Sequence, residues 1–337
     1  MNKILIVNVN WVGDVIFSSP IFKALKKKFS QSHIACLAVP RVKDILESIP
    51  ELDEIIIYDE KGIHKDPFSK LKLIQSLKGR KFDAAFLLHR SLTRALFVFF
   101  AGIPIRVGYA AKGRGIFLTH KVKSLAKGAH RSDHYLNVIE SFGIPVTDRR
   151  CHLAVNAEAK RFVDEIFKKE GIGPQEPFIV LNPGGNWDLK RWPLDKFSQL
   201  IDRLYEEFKL KIIIAGAKQD IELVDTIVQR ARFKPIVLTG QTDLKQLMAM
   251  LAKADLVISA DSGPLHIANA VGTKTIGLFG PTRPEVTGPR GMGHSVILQK
   301  DVGCNQEPCY NLDCPDNICM RSISVEEVVH EVRRLKG

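Results

Sequence analysis

The chain has 337 residues, of which 45% are hydrophobic and 26% charged, and its formal net charge is +12. That length suits two domains of about 150 residues, and the composition excludes disordered and fibrous classes. No apolar run reaches the ~18–20 residues of a membrane span and no charged-then-apolar leader precedes the first strand, so a cytoplasmic protein is expected. The charge is unevenly placed: residues 1–150 hold 25 Lys+Arg against 13 Asp+Glu, while residues 151–337 hold 24 of each. Most of the excess lies between Lys61 and Arg131. Such a field suits nucleic acid, an anionic membrane surface or a phosphorylated ligand, and its plain alternative is a solvated basic face.

Lys3–Asn8 is a short apolar run of buried-strand type, followed by the loop Val9-Asn10-Trp11-Val12-Gly13-Asp14 and a helical pattern from Val15 to Phe29 with a loop-like Ser18-Ser19-Pro20 at its start. The order is strand, loop, helix of a nucleotide-binding type, but without G-x-G-x-x-G, which argues against a dinucleotide. Asp14 stands where the helix begins, as either a helix cap or a functional carboxylate. Further strands are expected at Ile34–Val39, Glu54–Tyr58, Ala84–Leu88 and Arg106–Tyr109. Helices are expected at Val42–Ile49, Phe68–Leu77, Leu92–Ala101 and Ser132–Phe142. Alternation of this kind implies a mainly parallel, doubly wound sheet whose carboxyl edge binds ligands. His89-Arg90-Ser91 falls on the same edge as Asp14. Arg90, Arg94, Arg106, Lys112 and Arg114 are candidate donors to phosphate or carboxylate.

Near Cys151–Asn156 the first domain gives way to a helix, Ala157 to Glu170, ended by Gly171. After the strand Phe178–Leu181 comes Asn182-Pro183-Gly184-Gly185-Asn186-Trp187-Asp188-Leu189-Lys190-Arg191-Trp192-Pro193. Its two glycines allow a backbone nest for an anion that Lys190 and Arg191 could neutralise. The strand Lys211–Ala215 leads to Asp220, a helix cap or a ligand contact. Pro235–Leu238 leads to Thr239-Gly240-Gln241-Thr242 and a helix at Leu244–Leu251. The strand from Leu256 then runs into Asp261-Ser262-Gly263-Pro264, a helix containing His266, a second strand at Thr275–Phe279, and Gly280-Pro281-Thr282. Asp261 and Ser262 can cap, Gly263 clears space for a close ligand and Pro264 suits the first turn. The amides and positive dipole end then favour phosphate. A histidine such as His266 reads alone as a packed core residue.

Four of six cysteines, Cys304, Cys309, Cys314 and Cys319, follow C-x4-C-x4-C-x4-C. The spacing is near a zinc knuckle without matching it well. Structural zinc, two disulfides or free thiols all remain open, and no obligate metal is the favoured reading. Ser324-Val325-Glu326-Glu327 has the form of a capping box for a closing amphipathic helix.

The run D-S-G-P-L-H-I-A-N-A-x-G-x-x-x-I-G-L-F-G-P-T resembles the donor-site signature of the bacterial lipopolysaccharide heptosyltransferases, inverting glycosyltransferases of the GT-B fold. W-V-G-D-V-I-F-S-S-P is similar to their N-terminal motif, and its Trp looks more like the second heptosyltransferase than the first. The resemblance covers nearly the whole chain. It implies two Rossmann-like domains facing each other across a cleft: an acceptor-binding domain over 1–155, a nucleotide-sugar domain over 156–322 and a C-terminal helix over 323–337 returning toward the first. It implies Asp14 as catalytic base and Lys190 as the donor-phosphate contact. Gly185, Asn186, Asp220 (ribose), Thr242 (adenine), Asp261, Ser262, Gly263, His266 and Thr282 would complete the donor site. Trp11, Arg90, Arg94, Lys112 and Arg114 would meet the acceptor. The family often has small hydroxyl residues where this chain has Gly185 and Asn186, so backbone donors or the Asn amide would substitute.

The donor expected is ADP-L-glycero-D-manno-heptose and the acceptor an anionic glycolipid, heptosyl-Kdo-lipid A, met at the inner face of the cytoplasmic membrane. With no D-x-D motif in either loop, catalysis without a metal is expected. A related GT-B transferase with another nucleotide-sugar is the alternative within enzymes. From a different class, a zinc-containing nucleic-acid-binding protein would use the basic half and the cysteines, although no reading helix or RNA-binding signature supports it.

Overall fold

The computed structural model describes residues 1–185, 187–304, 309 and 314–336. The chain divides into two compact units, Met1–Ala154 and Val155–Gly337. In the first, strands β1 (Lys3–Val7), β2 (His33–Ala38), β3 (Glu54–Ile57), β4 (Ala84–Leu87), β5 (Ile105–Tyr109) and β6 (His120–Val122) alternate with helices α1 (Val12–Ser18), α2 (Pro20–Lys28), α3 (Lys43–Leu46), α4 (Pro67–Arg80), α5 (Leu92–Phe100) and α6 (Arg131–Glu140). The sheet order is β3-β2-β1-β4-β5-β6, and every pair is parallel. Strand β1 explains the arrangement. Its last four residues are buried, as a strand covered on both faces requires, and Leu5 lies between Ala35 of β2 and Ala85 of β4.

The second unit repeats the plan. Strands β7 (Phe178–Asn182), β8 (Lys211–Ile214), β9 (Ile236–Val237), β10 (Leu256–Ala260), β11 (Lys274–Phe279) and β12 (Ser295–Gln299) form a parallel sheet in the order β12-β11-β10-β7-β8-β9. Helices α7 (Ala157–Lys169), α8 (Leu194–Phe208), α9 (Ile221–Arg230), α10 (Leu244–Lys253), α11 (Gly263–Ala270), α12 (Pro284–Thr287), α13 (Ile318–Arg321) and α14 (Val325–Lys336) complete it. Each sheet starts at its centre, winds outward, and then crosses to the other side. The winding reverses between β1 and β4 in the first unit and between β7 and β10 in the second. Crevices open at such switch points because neighbouring loops leave the sheet in opposite directions. Asn8 and His89 lie at the first switch point, and Asn182 and Asp261 at the second.

The strands expected from sequence are present within a residue or two, and β6 and β12 add an edge to each sheet. The helical pattern at Val15–Phe29 resolves into two helices. α1 begins earlier, at Val12, and α2 starts at Pro20, which has no N–H with which to continue the first ladder. Asp14 thus occupies the first turn of α1 and is not its cap; the N-cap is Trp11, which makes no side-chain cap bond. Gly171 ends α7 with φ +66°, the left-handed conformation in which glycine is least strained.

The capping box before α14 is formed, with Ser324 Oγ accepting from the Glu327 amide and Glu327 Oε2 accepting from the Ser324 amide. Helix α14 packs on α8 and β11, and Val328, Val329 and Val332 join the second unit's core. Trp192 is buried there, and its indole donates to the carbonyl of Ile323 at 3.0 Å, which fixes the end of the loop leaving β7. Among the described residues no helix is long and apolar enough to cross a membrane.

Candidate active site

In the first unit the functional group is built on the loop between β1 and α1. Buried Asn8 turns its side chain back on the chain, accepting from the Val9 amide at 2.8 Å and donating to Ser18 Oγ at 3.2 Å. Arg94, 1% exposed, lies behind this loop and spends its fork there. Nη1 donates to the carbonyl of Asn8 and Nη2 to Asn10 Oδ1, each at 2.8 Å. Arg41 donates to the carbonyl of Asn10 at 2.6 Å, and its guanidinium lies 4.0 Å over the ring of exposed Trp11. The loop is held from both ends.

Half-buried Asp14 follows immediately. Its Oδ1 accepts a hydrogen bond from the Tyr135 hydroxyl at 2.8 Å. Tyr135 comes from α6, which is pinned to α1 by Ser132 Oγ donating to the carbonyl of Phe17 at 2.9 Å. Burial, and then the adjoining Asp14 carboxylate, push the Tyr135 phenol well up, so it remains the donor of this bond. One oxygen of Asp14 is therefore committed. Tyr135 was not expected from the sequence, where it reads as one more apolar-face position of a helix.

Beside it, Arg90 is exposed and packs 4.7 Å over the Tyr109 ring, and Lys112 is exposed in a left-handed turn at φ +52°. These two acceptor candidates can reach a ligand. Arg94 and Arg114, expected in the same role, stand behind the loops. Arg114 is fully buried, its Nε donating to the Tyr109 carbonyl at 2.7 Å and its Nη1 to the His89 carbonyl. Burial and the charge of Arg90 lower its guanidinium to about 10. Arg106 donates to the Phe117 carbonyl at 2.6 Å and lies over the Phe99 ring. The sequence marked all five as cations without showing which ones the carbonyls at the sheet edge would capture.

The second unit gathers its group around Asp261, 5% exposed at the end of β10. Its Oδ2 accepts from Lys190 Nζ at 2.8 Å, Thr282 Oγ1 at 2.8 Å and Thr287 Oγ1 at 3.2 Å, and its Oδ1 lies 3.2 Å from His266 Nε2. Lys190 also donates to the Asp261 carbonyl at 3.2 Å. Burial alone would raise the Asp261 carboxyl; His266 and then Lys190 outweigh it and hold it well below the usual carboxylate range. Four candidates named from sequence thus meet in one cluster, and Thr287 joins them without any motif to announce it.

Ser262 is the N-cap residue of α11, and its hydroxyl is bonded to Ser259 at 3.0 Å and Asn182 at 3.3 Å rather than to the helix amides. Those amides, beginning at Gly263, are left for an anion. On the neighbouring loop, a Cβ on Gly184 would sit 2.4 Å from the Asp220 carboxylate, so only glycine permits this approach. Asp220 is buried. Its Oδ2 accepts from the Ala217 amide at 2.8 Å, and its Oδ1 has no partner among the described residues, an acceptor open to a hydroxyl. Gly185 accepts from Arg191 at 2.8 Å through its carbonyl. Thr242 is half-buried in the loop before α10. Asn186 lies outside the described residues.

Among the described residues no cysteine is in a disulfide. Among the described residues no three His, Cys, Asp or Glu side chains are gathered to hold a metal ion, and the Cys309 amide donates to the Pro281 carbonyl at 2.8 Å.

The first switch point carries a pH signature. Burial, and then Arg94, Arg114 and Lys112, push the His89 imidazole down to about 4. Between pH 6.5 and that value the unfolded chain takes up a proton that the folded one refuses, so stability falls as pH falls, by at most ~1.4 kcal/mol per pH unit. His89→Gln should flatten the pH dependence of the denaturant midpoint across this window. An unchanged dependence would mean that His89 titrates normally.

Comparison with known proteins gives the family. Residues 70–314 match glycosyltransferase family 9 (heptosyltransferase). The chain is 24% identical to the lipopolysaccharide core heptosyltransferase OpsX of Haemophilus influenzae, over 99% of this chain and 96% of OpsX. It is 27% identical to lipopolysaccharide heptosyltransferase 2 of Escherichia coli, over 88% of this chain and 87% of that protein. The solved ADP-heptose lipopolysaccharide heptosyltransferase II of E. coli shares the fold, with a TM-score of 0.80 at 24% identity, covering 99% of this chain and 98% of that one. The chain therefore belongs to glycosyltransferase family 9, the heptosyltransferases of lipopolysaccharide core biosynthesis, and has their GT-B fold.

Proposed function

We infer that this enzyme moves a heptose from ADP-L-glycero-D-manno-heptose to the inner core of lipopolysaccharide, on an acceptor of the heptosyl-Kdo-lipid A type, with inversion at the anomeric carbon. The observation that carries this reading is the pairing of Asp14 with Tyr135 through a single oxygen, which leaves Oδ2 as the proton acceptor. The acceptor hydroxyl gives its proton to Asp14 as its oxygen bonds to the anomeric carbon. The bond from that carbon to the phosphate oxygen breaks, and ADP leaves with the electron pair. Charge builds on the departing diphosphate, where Lys190 and the first amides of α11 answer it. Asp220, with one buried oxygen that has no partner among the described residues, suits a ribose hydroxyl.

The exposed cations Arg90 and Lys112 suit the sugar acids and phosphates of the acceptor. Because positive side chains and a helix end meet the diphosphate, the reaction is assigned no metal. The enzyme would act on a lipid-anchored acceptor, and so at the inner face of the cytoplasmic membrane. Membership of an enzyme family removes the ground for the zinc-containing nucleic-acid-binding alternative.

Asp14→Ala should lower kcat by at least about a thousandfold while ADP binding and thermal stability stay near wild type. Substantial turnover in this variant would reject Asp14 as the base. Lys190→Ala should lower kcat/KM for ADP-heptose by about a hundredfold, and unchanged kinetics with that donor would reject the phosphate contact. Tyr135→Phe deletes one hydroxyl and keeps the ring. About a tenfold loss in kcat with KM little changed is expected if the bond positions the base, whereas a loss confined to stability would make it a packing contact.

A further inference from the structure

The basic excess of the first unit is only partly used by the group around Asp14. Between Lys61 and Arg131 the chain holds 16 Lys+Arg and two acidic residues, Asp66 and Asp83. Both acids are engaged, Asp66 as the N-cap of α4 and Asp83 by the amides of Asn2 and Lys3. Apolar side chains are exposed in the same stretch. Among the described residues twelve large hydrophobic side chains are exposed, and seven of them lie between Ile63 and Ile116. Scattered exposed apolar residues need no explanation, but concentration in one layer does.

The layer is defined by packing. Helices α4 and α5 lie side by side, and α5 adjoins the single turn of 3₁₀ helix Arg114–Phe117. Their inner faces are consumed by the core, where Leu73, Leu77, Phe97 and Val98 are buried. Their outer faces carry Phe68 and Leu71 on α4, Phe100 on α5, and Ile116 on the turn, at 67%, 55%, 58% and 78% exposure. None of the four belongs to the first unit's buried core. Lys72 Nζ lies 4.8 Å over the Phe68 ring, which sets a cation directly beside an exposed apolar group.

We propose that the outer face of the layer formed by α4, α5 and the Arg114–Phe117 turn docks on an anionic lipid bilayer. The inference deepens the reading of a lipid-anchored acceptor by naming where the bilayer meets the protein. Rings and aliphatic side chains enter the boundary between headgroups and acyl chains, while the lysines meet lipid phosphates. Charge separates this occupant from the others. A second copy would set one positive face against another, and nucleic acid would stack on Phe68 and Phe100 but leave the aliphatic Leu71 and Ile116 without a partner.

The test is co-sedimentation of the full chain with vesicles of phosphatidylethanolamine and phosphatidylglycerol, against vesicles of phosphatidylcholine alone. Binding to the anionic vesicles should be at least about tenfold tighter. The combined variant F68S/L71S/F100S/I116S should lose about tenfold of it, and so should K72E/K78E, both lysines being exposed on α4. Both should keep the wild-type melting temperature and wild-type transfer to a delipidated, water-soluble acceptor. Met292→Ser, exposed in the other unit, should change nothing. Equal binding to the two kinds of vesicle, or unchanged binding by both multiple variants, overturns the proposal. So does a wild-type dimer that these variants dissociate without any vesicle binding. If the vesicles discriminate as expected but no heptose is transferred, the surface stands and the enzymatic reading falls.

Discussion

A carboxylate buried to 5% exposure must collect donors or lose its charge, and Asp261 collects four. Much of the second unit's local structure follows from that demand. Lys190 is drawn from the loop after β7, Thr282 from the end of β11, Thr287 from α12 and His266 from the first turns of α11. Side chains spread from residue 190 to residue 287 are fixed to one point at the carboxyl edge of the sheet. The same bonds bring a lysine ammonium and the open amides of a helix start into one neighbourhood. An anion arriving there meets a site whose positive groups are already held in place, so little reorganisation accompanies charge development.

The first unit reaches its order by different means. Its edge loop is held by guanidinium forks on carbonyl oxygens, with Arg94 on Asn8 and Arg41 on Asn10. The carboxylate it presents is fixed by a single phenol. This separates two kinds of arginine that look alike in the sequence. Those whose guanidinium is taken up by loop oxygens, the buried Arg94 and Arg114 and the exposed Arg41, shape the loops, and exposed Arg90 can meet a ligand. An excess of positive charge on one half of the chain is thus divided among scaffolding, ligand contact and an outward surface.

Parallel strands were legible because burial on both faces makes each an unbroken apolar run, and every strand expected in either half is present. The late motif was legible too. D-S-G-P combines a carboxylate, a cap, a glycine and a proline in the order a helix start requires, and Asp261, His266 and Thr282 do meet in space. Tyr135 and Thr287 were not legible, because a single side chain that reaches its partner across the fold leaves no local pattern. Nor were the fates of Arg94 and Arg114, which depend on carbonyls up to 86 positions away in sequence. β6 escaped notice because it is a three-residue edge strand with two exposed positions. The helix at Val15–Phe29 divided because Pro20 interrupts a pattern that periodicity alone continues.

The central claim is that the cluster around Lys190 and Asp261 takes the diphosphate of an adenine nucleotide. The most direct measurement is the thermal shift of the wild-type protein with ADP, UDP, GDP and CDP, with EDTA present throughout. The account predicts stabilisation by ADP well above that by the other three, undiminished by the chelator. Stabilisation by UDP or GDP in preference to ADP, or by none of the four, would contradict it.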